Sequence, residues 1–132
     1  MKCFLYCIAY FLFGDKIEKS SKKSQSSQLK KYFANFNTQN VSFPISITGI
    51  KKFLRQNNHL NLKINIFIRQ KENDKKKELI FPYEYGLGNG EKIVNLLMVQ
   101  NKIACDHAVN HFILITDVNK YLRRTYRKEV EV

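Results

Sequence analysis

Residues 3–13 (CFLYCIAYFLF) are eleven consecutive apolar or aromatic positions, with Met1-Lys2 before them and Gly14-Asp15 after. The run predicts a buried helix of about three turns, ended by Gly14 as a left-handed cap. The alternative reading is the basic and apolar front of a secretory signal peptide. Phe11-Leu12-Phe13-Gly14-Asp15 lacks the paired small residues of a cleavage zone, which favours the helix. Residues 15–28 are polar, Ser- and Lys-rich and without period, so they read as an exposed loop or flexible insertion. Leu29, Tyr32, Phe33 and Phe36 then recur at helical spacing and predict a short amphipathic helix.

Residues 41–47 alternate around Pro44 and predict an edge strand or an extended entry segment. Thr48 is the expected cap of a helix carrying Ile50, Phe53 and Leu54, with Asn57-Asn58 as its stop. From Leu62 the period changes to two: Leu62, Ile64, Ile66 and Ile68 face one way, Lys63, Asn65 and Arg69 the other. A charged loop at 71–77 joins this strand to a second that begins at Glu78. Residues 86–90 read as a turn, residues 93–99 as a central strand buried on both faces, and 100–110 as a polar loop. His111 opens a fourth strand, and 118–126 fit a terminal helix. Helices first and then strands joined by turns predict a single α+β domain over 1–132, with a mostly antiparallel four-stranded sheet.

Composition narrows the partners. The 132 residues hold 23 Lys+Arg against 11 Asp+Glu, a formal net charge of +12, so anionic partners are favoured and nucleic acid comes first. Six lysines lie among Ser and Gln in 16–31, while Arg123, Arg124, Arg127 and Lys128 crowd the last segment and are the nucleic-acid-binding candidates. No run of residues is long and apolar enough to span a bilayer as a helix, so no membrane partner is expected.

Candidate chemistry is sparse. Gly86-Leu-Gly-Asn-Gly lacks the second spacing of a dinucleotide fingerprint and precedes a strand, so no cofactor is expected. Cys105, Asp106, His107 and His111 lack a Cys-x-x-Cys partner, and no metal site is expected. Cys3 opens the first helix, where the dipole and free amides would stabilise a thiolate. His111, with Asp117 or Asn119 downstream, could act as base and orienting residue.

Several short blocks resemble one family in order: Lys2-Cys-Phe-Leu-Tyr-Cys-Ile-Ala, Phe43-Pro-Ile-Ser-Ile, residues 58–67 (NHLNLKINIF), Ile80-Phe-Pro, Val94-Asn-Leu-Leu, and His111-Phe-Ile-Leu-Ile with Asp117 and Lys120-Tyr-Leu. The family is the region upstream of the protein-primed B-family DNA polymerase in self-synthesising Maverick or Polinton DNA transposons. The resemblance implies a non-catalytic accessory domain that contacts DNA or a replication protein, with an intracellular location and the nucleus one candidate compartment. The 132 residues contain no polymerase metal-binding motif. The cysteine and histidine blocks are also similar to those of papain-like and ovarian-tumour-type cysteine proteases. That analogy implies a papain-like scaffold with Cys3 as nucleophile, His111 as base and Asp117 or Asn119 as orienting residue. Only Met1 and Lys2 stand where such enzymes place an oxyanion-hole residue, so poor or no catalysis is expected. Two alternatives stay open: a thiol hydrolase of peptide or isopeptide bonds, and a small basic secreted protein if residues 1–14 are a signal peptide.

Overall fold

The computed structural model describes residues 2–18, 24–71, 78–103 and 107–116. α1 (Cys3–Phe13) buries Phe4, Leu5, Cys7, Ile8 and Ala9, so Phe4/Ile8 and Leu5/Ala9 form one apolar stripe at i, i+4. Gly14 is not a left-handed cap. Its φ is −61°, its N–H donates to the Tyr10 carbonyl, and the chain keeps its right-handed sense through a single 3₁₀ turn, Gly14–Lys16.

The polar stretch expected as loop over 15–28 ends earlier. Ser24 accepts from the Ser27 N–H at 3.2 Å and starts α2 (Gln25–Lys30), which runs into the 3₁₀ turn Lys31–Asn35. Aromatic residues then fasten this unit to α1: Phe13 stacks on Tyr32 at 4.4 Å between centroids, and Tyr6 meets Phe33 edge-on at 4.8 Å.

Residues 41–46 form no strand. Val41, Phe43 and Ile45 pack into the helical layer, where they join no strand ladder among the described residues. α3 (Ile47–Gln56) is capped by Ser46 rather than Thr48. The Ser46 hydroxyl accepts from the Gly49 N–H at 3.0 Å, which places Thr48 inside the first turn. Asn57 stops the helix as expected. Its buried amide donates to the Asn37 and Phe53 carbonyls at 2.9 and 2.8 Å and accepts from the Asn37 N–H at 2.7 Å, tying the helix end to the preceding segment.

Four strands follow: β1 (Leu62–Lys71), β2 (Glu78–Leu87), β3 (Lys92–Ile103) and β4 (His107–Ile115). Their order in the sheet is β2-β1-β3-β4. β1 is antiparallel to β2 and parallel to β3, and β3 is antiparallel to β4. The fold is therefore α+β, with helices first and a mixed, mostly antiparallel sheet after them. Three strand limits differ from expectation. The loop expected at 100–110 is largely strand, because β3 and β4 continue the ladder as far as the pair Ile103 and His107. His111 consequently sits inside β4 and does not open it. β3 is buried on both faces only along part of its length, since Ile93 is half exposed. The terminal helix expected over 118–126 lies outside the described residues, as does the 71–77 loop beyond Lys71.

The larger core cluster lies on one side of the sheet. Ile64 and Ile66 of β1, Val94, Leu96 and Met98 of β3, and Phe112 of β4 face the helices. Phe4 is the hub, edge-on to Phe53 at 5.2 Å and to Phe112 at 5.8 Å, and Phe53 meets Phe36 at 5.9 Å. Such edge-to-face pairs add roughly 0.5–1.5 kcal/mol each beyond burial. Among the described residues, no helix is long and apolar enough to cross a membrane.

The connection 88–91 gives the sheet its mixed character. β2 and β3 flank β1, about 9.6 Å apart at two strand spacings, so this short connection must pass across the start of β1. Asn61, in the left-handed region at φ 59°, shapes the crossing. Its carbonyl accepts from the Lys92 N–H at 2.9 Å, its side-chain oxygen from the Glu91 N–H at 3.0 Å, and the Leu62 carbonyl from the Gly90 N–H at 3.1 Å. Glycine is required by proximity here. A Cβ on Gly90 would collide with the Asn61 carbonyl carbon and the Leu62 nitrogen, and one on Gly88 would lie 2.7 Å from the Leu62 oxygen.

Candidate functional site

The thiols come first. Cys3 is the first residue of α1, half-buried against the helical core, and its N-cap position, Lys2, offers no side-chain cap. Cys7, one turn on, is buried and donates to the Phe112 carbonyl at 3.4 Å. Burial pushes its thiol up to about 12, the neighbouring Cys3 adds to the rise, and the Leu114 backbone opposes it. A thiol so protonated is a packing group, not a nucleophile.

His111 pairs with Val99 across β3 and β4. Its successor Phe112 points into the helical core, so strand alternation turns His111 toward the other face of the sheet, with half-exposed Ile113. Cys3 and His111 thus belong to opposite sides of the sheet. Asp117, Asn119, Arg123, Arg124, Arg127 and Lys128 lie outside the described residues.

A different set of residues comes together at the crossing. A cleft of about 490 Å³ opens between α3 and the end of β2. α3 is amphipathic: Ile50, Phe53 and Leu54 face the core, which leaves Lys51 and Arg55, at i and i+4, on the exposed side. Both line the cleft, with Asn58 beyond the helix end and Asn89 from the crossing loop. Leu54 and Leu87, each buried, supply its apolar surface, and the backbone at Gly86 and Gly88 supplies the far wall. Among the described residues no carboxylate lines it; Glu84 and Glu91 flank the wall in sequence without entering the lining. The resulting chemistry is two positive charges, two amides and an apolar floor. That combination suits an anion attached to a flat or apolar body.

β2, which ends in this wall, is an edge strand with exposed rings. Tyr83 is 51% and Tyr85 56% exposed, and Tyr85 leans edge-on against Phe67 at 5.4 Å. Register shifts between β1 and β2 occur around Ile66, and next to them the Gly86 N–H turns to the Asn65 side chain at 2.8 Å. The Asn65 amide in turn donates to the Asn95 side-chain oxygen on β3 at 3.2 Å. This bulge, with Gly86 at φ 67°, aims the end of β2 at the cleft.

Sequence reasoning passed over Lys51, Arg55, Asn58 and Asn89. The signal present was the i, i+4 pair on the polar face of the third helix; nothing in the sequence pointed that face at the 86–90 turn. Among the described residues no group of three or more His, Cys, Asp or Glu could hold a metal ion. No family model, no curated protein and no solved structure matches the chain.

Proposed function

We propose that this chain is a non-catalytic accessory domain of a mobile-element DNA-replication protein, and that it contacts DNA through a basic surface. The observation that carries the DNA-contacting part is the cleft at the crossing, where Lys51 and Arg55 stand beside two amides with no carboxylate among the described lining residues. The net charge of +12 supplies the long-range attraction for a polyanion. The replication context comes from the resemblance of the sequence blocks. A binding role is favoured over hydrolysis because Cys3 and His111 belong to opposite sides of the sheet and Cys7 holds its proton. Secretion after removal of residues 1–14 is disfavoured because that cut would take Phe4, Leu5, Ile8 and Ala9 out of the core.

The test is fluorescence anisotropy with labelled DNA across a salt series. Binding should weaken steeply with salt, by a log–log slope of about −0.9 per phosphate neutralised. Lys51→Ala with Arg55→Ala should flatten the slope by about 2. No binding at low salt would sink the reading.

A further inference from the structure

We infer that the β2 edge and the cleft together form a site for single-stranded nucleic acid, with bases on Tyr83 and Tyr85 and a phosphate between Lys51 and Arg55. The inference rests on the DNA-contacting reading above and narrows it to one form of nucleic acid.

Three observations carry it. First, both tyrosines are more than half exposed on an edge strand, although aromatic rings gain most by burial. Exposed rings next to a basic cleft are the elements of a stacking platform, because every base offers a flat face. Second, the Tyr85 ring lies with Phe67 on the sheet face away from α3, while the backbone of Gly86 next to it lines the cleft, so a strand that uses both turns around the β2 edge between them. Third, β2 is the outermost strand of the sheet, so a flexible single strand can pass around that edge from the rings to the cleft.

A duplex satisfies these features poorly. Its bases hide their faces from protein side chains, and its phosphates form an outer ridge that a concave cleft closed by α3 cannot follow. A single strand can turn its bases onto the β2 rings while its backbone dips into the cleft. The Gly86 bulge and the Phe67 contact hold the Tyr85 ring in place before any strand arrives, which limits the ordering cost of binding.

The experiment compares labelled oligo(dT) with a duplex of equal length, using the full chain at one low salt concentration. The single strand should bind more tightly. Tyr85→Leu and Tyr83→Leu, which keep apolar bulk on the strand, should each weaken single-strand binding roughly five- to a hundred-fold and leave duplex binding within about two-fold. Tyr85→Phe should restore it, since the ring and not the hydroxyl stacks. The chain has no Trp, so quenching of tyrosine emission on titration with unlabelled oligo(dT) gives a second readout of the same contact. Leu variants that bind the single strand as the parent does would overturn the inference, and equal parental affinity for the two forms would do the same, while the DNA-contacting reading stood. No binding of either form would overturn both.

Discussion

The two faces of the sheet obey different rules. On the helical face, Ile64, Ile66, Val94, Leu96, Met98 and Phe112 are sealed beneath α1 and α3, with Phe4 and Phe53 between. On the other face, Phe67 of β1 and Leu97 of β3 are buried to 2% and 1%, while Ile93 of β3 and Ile113 of β4 stay about half exposed. Polar side chains interrupt that second face, where Asn65 bonds Asn95 and the Gly86 N–H. The first face is a continuous apolar layer built for stability. The second is a patchwork whose polar groups shape the backbone, including the bulge that directs the end of β2.

Breaking the sealed face should cost most. Phe53→Ala removes the ring that joins Phe4 to Phe36 and should lower stability by about 3–5 kcal/mol in urea unfolding. That is a large share of the roughly 5–15 kcal/mol typical of a whole domain. A loss of under about 1 kcal/mol would mean that the helical layer is not the main core.

The crossing comes next. Gly90→Ala forces a Cβ into the Asn61–Leu62 backbone, which cannot retreat without breaking β1 from its neighbours, and should cost about 3 kcal/mol or more. Gly86→Ala has open space at the Cβ and pays only for its left-handed backbone, about 1–2 kcal/mol. Equal losses at the two glycines would show that the crossing is looser than drawn.

Cys7 sharpens the comparison through pH. Folding holds its thiol neutral up to about 12, against an ordinary value of 9.0. The unfolded thiol ionises first as pH rises, so the unfolded state is favoured increasingly between those values. The contribution of this residue is complete below about pH 9 and is lost toward 12, with a slope of at most about 1.4 kcal/mol per pH unit. Comparing urea midpoints at pH 8.5 and 10.5 for the parent and Cys7→Ala should show a smaller alkaline loss in the variant. Identical losses would mean that the thiol is solvated.

The smallest effect belongs to the patchwork face. Ile113→Thr, at a half-exposed position of β4, should change stability by no more than about 0.5 kcal/mol. A cost near that of Phe53→Ala would erase the distinction between the faces.

Periodicity made much of this architecture legible. The alternation from Leu62 to Ile68 named the core face of β1 correctly, and the apolar run at 3–13 marked a helix that the structure buries. Asn57 was recognisable as a stop, although its role as a three-bond tie to Asn37 and Phe53 depends on a segment twenty residues away. Local patterns misled where the chain had tertiary partners to choose between. The alternation at 41–47 has no strand beside it and joins the helices, and the polar letters at 100–110 are drawn into a ladder by the long β3–β4 pairing.

What the sequence determined by itself is the class: which residues are apolar, at what period, and how much positive charge must sit outside. What only the tertiary structure decided is juxtaposition. Lys51 and Arg55 meet the end of β2 because the 88–91 connection crosses the start of β1, and that crossing is held by Asn61 and by two glycines that no local pattern distinguishes from ordinary turn residues. His111 faces away from Cys3 because strand alternation has a period of two and its neighbour Phe112 is claimed by Phe4. Spacing along the chain constrains side chains only within one helix or strand; across elements, the competition for one core sets which groups come to face one another.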